Sequence, residues 1–177
     1  MGSDQDRFPD ADILLTDNIH TLAQSPFGKT FDGQQIVNIL SGLKKAGKIV
    51  FADIDDRGDE EGDTIRINSG FYGNRCKTIP VLAHEGAHMY WRAHHPKRDS
   101  SDAIVLDELR CELIELEVYT WAKSALGCTV TDSDLEFRLN YLDSPPKGPF
   151  PIPGIGGDKR YLGLKTHIAD RYRPEAP

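Results

Sequence analysis

Residues 77–94 constrain the rest of the chain more than any other stretch. Val81 and Leu82 lead into His84-Glu85-Gly86-Ala87-His88, and Pro96 closes the segment by disfavouring helical geometry in the residue before it. The spacing predicts one helix over 77–94. On that helix His84 and His88, four residues apart, project from the same face and can offer two imidazole nitrogens to a single ion. Glu85 sits one step round and can reach a water on that ion without being a ligand itself. A catalytic zinc usually has three protein ligands and one open position. The chain must therefore fold a further donor back against this helix.

Upstream, the first thirty residues mix Asp, Pro, Gln and Gly around a short apolar patch at Ile13 to Leu15, which predicts an irregular lead-in. Residues 34–46 place Ile36, Ile39, Leu40 and Leu43 at helical spacing, with Gly47 positioned to end the helix. Residues 49–54 form an apolar run rich in branched side chains, and residues 64–68 alternate with Ile65 and Ile67 on one face; both predict strands. The acidic segment 55–63 between them invites a calcium reading. Counted from Asp53, however, it has Arg57 at the fifth position and Thr64 at the twelfth, where an EF-hand needs an oxygen ligand and a bidentate Glu. A solvated hairpin loop is the expectation.

Downstream, Ser100, Ser101 and Asp102 supply capping chemistry for a helix over about 103–126, which Gly127 terminates. A third helix is expected from Asp132 to Leu142. Residues 144–157 are rich in Pro and Gly and read as a connecting loop, and 158–172 as a last short helix. There is no internal repeat. The sum is a single α+β domain over 1–177, with a core at about 34–127.

At 177 residues the chain can bury a core without a metal staple, so an ion here would serve chemistry more than folding. A formal charge of -7 leaves little attraction for nucleic acid or an anionic membrane surface. No apolar run approaches the roughly 20 residues of a transmembrane helix. Met1-Gly2-Ser3 reads as a cloning remnant, which leaves room upstream for a leader or a larger parent protein. Cys76, Cys111 and Cys128 are odd in number and lack metal-ligand spacing, which predicts reduced, packed thiols and a cytoplasmic setting.

The motif at 84–88, preceded by a strand, resembles the zincin metallopeptidases, in which zinc acidifies a water and the Glu accepts its proton. The resemblance spans roughly residues 34–127. It implies a zinc cofactor, Glu85 as general base, a peptide or protein substrate, and a small mixed or antiparallel sheet. In that sheet 64–68 would be the edge strand that pairs with the substrate backbone. Two candidates compete for the third ligand. His94 matches the histidine spacing of the metzincins, but Trp91 stands where that branch has Gly. The methionine turn is missing as well, since the only methionines are Met1 and Met89. His94 then falls at a helix end, where its imidazole can meet the last free carbonyls. Gluzincins instead take a Glu from a following helix. Here that resemblance points to Glu108, twenty positions after His88, with Glu112 as the carboxylate that orients a ligating histidine. The competing reading is that Glu108, Glu112, Glu115 and Tyr119 form a solvated stripe at helical spacing. For the oxyanion donor, Tyr119, Tyr141, Tyr161 and His167 are available and the spacing selects none. The same fold would also serve a non-catalytic binding or regulatory module, or a protease toxin or effector domain cut from a larger protein.

Overall fold

Leu15, Ile19 and Leu22 lie at positions i, i+4 and i+7, all buried, and they define a helix where an irregular lead-in was expected: α1 (Ala11–Gln24). The computed structural model describes residues 7–94, 101–129 and 132–142. The core accordingly begins upstream of residue 34, with α1 and Phe27 contributing to it. A short 3-10 turn (Phe27–Lys29) leads into α2 (Phe31–Lys45). Thr30 caps α2, its hydroxyl accepting from the Gly33 N–H at 3.0 Å. The helix thus starts three residues before the apolar periodicity becomes visible.

Three short strands follow: β1 (Ile49–Ala52), β2 (Gly58–Glu61) and β3 (Thr64–Asn68). Their order is β1-β3-β2. β1 runs parallel to β3, with Ile49 opposite Ile65, and β2 runs antiparallel to β3, with Glu61 opposite Thr64. This corrects two expectations. The strand at 64–68 is central, not an edge, and part of the acidic segment is itself the edge strand. Acidic residues have low strand preference, but here each finds a cation. Asp59 sits directly across from Arg66 and binds it through two contacts of 2.6 Å, Glu61 adds a third at 2.9 Å, and Glu60 pairs with Arg92. Gly62, at φ +67°, supplies the left-handed residue of the tight turn.

Asn74 opens α3 (Arg75–His94), its side-chain oxygen accepting from the Lys77 N–H at 3.3 Å. One side of this helix carries Ile79, Ala83 and Ala87 into the apolar core. Gly86 lies against α2: a Cβ built there would stand 2.8 Å from Ile36 Cγ2 and 3.0 Å from Leu40 Cγ. The residue between Glu85 and Ala87 is therefore small so that two helices can close on each other.

Helix α4 (Ser101–Ala125) returns along α3, and α5 (Ser133–Leu142) packs on α4. Gly127, at φ +62°, ends α4 in the left-handed conformation expected of it. Asp132 caps α5, accepting from the Leu135 N–H at 3.3 Å. Cys76 and Cys128 form a disulfide, with Cα atoms 6.1 Å apart, so only Cys111 remains a buried thiol. This overturns the reading of all three as reduced: odd number and spacing cannot reveal which sulfurs the fold brings together. Closing 52 residues of chain restricts the unfolded state by about 4 kcal/mol.

The described residues thus form an α+β structure of five α-helices and one three-stranded mixed sheet, mostly helical. None of these helices is long and apolar enough to cross a membrane. The loop expected at 144–157, the helix expected at 158–172 and the cap expected at Ser100 lie outside the described residues.

Candidate metal centre

A cleft of about 850 Å³ opens between β2 with its leading loop, α3, α4 and α5. Helical periodicity places His84, Glu85 and His88 on the cleft side of α3, opposite the face that Gly86 and Ala87 turn to the core. α4 runs back beside them and brings Glu108 to the same point. His84 Nε2 lies 3.0 Å from His88 Nε2, and Glu108 Oε2 lies 3.4 Å from the second and 3.8 Å from the first. A tetrahedral ion held at about 2.0–2.2 Å separates its ligand atoms by roughly 3.3–3.6 Å. The three distances bracket that edge.

The other ring nitrogens also meet carboxylates. His88 Nδ1 is 3.1 Å from Asp107 Oδ2. His84 Nδ1 is 3.0 Å from Glu115 Oε2, close but off the alignment of a hydrogen bond. Because an ionised carboxylate can only accept, each contact favours the tautomer with its proton on Nδ1. Both Nε2 lone pairs then face each other, with a Glu108 oxygen as the third acceptor. In that neutral form three acceptors converge, an arrangement that a cation satisfies.

The surrounding carboxylates favour positive charge at this point. Burial lowers the pKa of His84, but the facing Glu115 outweighs it, and the net direction is upward. His88 behaves likewise, with Asp107 as the leading opposing contact. Burial would raise Glu108, yet its contact with His88 lowers it. Glu85 is the exception: desolvation raises its pKa despite both histidines. Its position depends on Gly58 at the start of β2, where a Cβ would stand 2.8 Å from Glu85 Oε1 and 2.6 Å from Val81 Cγ1.

The structure thus brings His84, His88 and Glu108 together, with Glu85 lining the same cleft. His94 is elsewhere: at the end of α3, its Nδ1 lies 2.8 Å from the Tyr90 carbonyl. Glu112 lines the cleft but pairs with Arg138, so the carboxylate that faces His84 is Glu115, one turn further along α4. Tyr119 is buried and committed, donating to Glu136 at 2.8 Å and accepting from the Asp132 N–H at 2.9 Å; it is no oxyanion donor. The Tyr141 side chain, Tyr161 and His167 lie outside the described residues.

Sequence reasoning missed Asp107, Glu115, Arg57, Arg138 and Gly58. Glu115 had a usable signal, because Glu108, Glu112 and Glu115 share one helix face. No family model matches the chain, and no curated protein or solved structure matches it at a significant level.

Proposed function

We propose that the chain is a zinc-dependent peptidase of zincin type, gluzincin-like in taking its third ligand from a downstream Glu. The observation that carries this reading is the convergence of three acceptor atoms on His84, His88 and Glu108, with both histidines backed by carboxylates. Zinc held there would polarise the attacking water and the scissile carbonyl. Glu85 takes the proton of that water and delivers it to the departing amine. Asp107 and Glu115 keep the two imidazoles oriented and electron-rich. β2, an outer strand of the sheet among the described residues and bordering the cleft, would pair with an extended peptide backbone, the part first expected of residues 64–68. The Cys76–Cys128 disulfide favours an oxidising setting over the cytoplasm expected from cysteine count.

Metal analysis of protein purified without chelator, paired with cleavage of an unfolded protein substrate, tests this. Wild type should hold one zinc per chain. Glu85→Gln should keep that zinc and lose activity by about 10²–10⁴-fold. Wild type without zinc, or a Glu85→Gln variant as active as wild type, sinks the proposal.

A further inference from the structure

Glu115 is almost fully buried, and a carboxylate in that position is costly unless both oxygens are engaged. His84 engages only Oε2. The other oxygen, Oε1, accepts from Arg57 Nε at 3.0 Å, and Arg138 Nη1 stands 3.8 Å from Oε2. The two arginines arrive from different elements. Arg57 comes from the loop before β2 and is held by Asp132 at the cap of α5, at 2.6 Å. Arg138 comes from α5 itself, bound to Glu112 and, at 2.9 Å, to Asp134.

The arrangement also decides between rivals. Glu112 and Glu115 both have a carboxylate oxygen within 4.8 Å of a His84 ring nitrogen, so either could serve that imidazole. Arg138 takes Oε1 of Glu112, whose other oxygen is buried without a hydrogen-bond partner among the described residues. Distance separates the two: Glu115 Oε2 lies 3.0 Å from His84 Nδ1, with its Oε1 held by Arg57.

We infer that Arg57 and Arg138 are positioning residues that set the orientation of His84 through Glu115. The metal centre is thereby tied to the docking of α5 and of the loop before β2. This rests on the zinc reading given above. Its consequence is that zinc affinity senses contacts made by two elements that supply no ligand.

A double-mutant cycle tests it by competition of zinc against a chromophoric chelator, together with the visible spectrum of the Co(II)-loaded protein. Glu115→Gln should lower zinc affinity by roughly 10–100-fold. Arg57→Met should lower it in the same direction and shift the Co(II) bands. The double variant should bind no more weakly than Glu115→Gln alone, because the arginine acts only through that carboxylate. Losses that add, or an Arg57→Met variant with wild-type affinity and spectrum, overturn the inference while leaving the zinc reading intact. Wild type that binds no zinc overturns both. Circular dichroism checks folding, and if Arg57→Met does not fold, Arg57→Lys, which keeps the charge but loses the fork, takes its place with the same expected non-additivity.

Discussion

The two sides of α3 are built on opposite principles. On the core side, Ile79, Ala83, Gly86 and Ala87 pack into the apolar core, Gly86 lets Ile36 and Leu40 close to contact, and a polar link to α2 comes from Tyr90 donating to Asp32. On the cleft side, His84 and His88 face carboxylates of α4, one of which, Glu115, is itself held by Arg57. The first side gains free energy from burial. The second spends part of that gain on keeping ionisable groups out of water. A helix that needed only to pack would not carry the second side, and that asymmetry is the physical reason to look for function there.

If the two sides are independent, substitutions on each should move different observables. Leu40→Ala opens a cavity against Gly86 and should have the largest effect on stability, about 2–5 kcal/mol by denaturant unfolding. Zinc affinity of the folded variant should be unchanged; a large drop would show that the core side also sets the site. Asp107→Asn removes the carboxylate behind His88 and should act the other way. Zinc affinity should fall roughly 10–100-fold, measured by chelator competition, with little change in the unfolding of the metal-free protein. Smallest should be Phe31→Ser. That side chain is 73% exposed at the start of α2, away from both sides of α3. Its change in stability should stay within about 0.5 kcal/mol, and a larger one would mean that Phe31 is covered in solution.

The core side was legible in the sequence and the cleft side only in part. Apolar periodicity located α2 and alternation located β3, because burial writes itself into spacing, while the motif with Pro96 located α3 and capping residues with Gly127 located α4. Helix α1 was equally periodic through Leu15, Ile19 and Leu22, but the polar, Gly- and Pro-bearing residues around it masked the pattern. β2 could not be read at all. Its Gly-Asp-Glu-Glu sequence pairs through Arg66 and Arg92, and such partners become visible only once register is known. The two histidines and Glu85 were legible because four-residue spacing carries geometry within one helix. Glu108 was reached through resemblance. The choice between Glu112 and Glu115 depends on how α4 is rotated against α3, a relation between helices that no spacing within one of them contains.

The disulfide between Cys76 and Cys128 encloses every residue assigned to the centre on α3 and α4, from His84 to Glu115. A chain proposed to cut polypeptides is itself a polypeptide that could be cut. Any single nick between these two cysteines would convert the ring into two segments still joined through sulfur. His84 and His88 could then not diffuse away from Glu108 and Glu115. Self-inflicted damage inside the ring would thus leave one molecule instead of two fragments, as long as the disulfide stays oxidised.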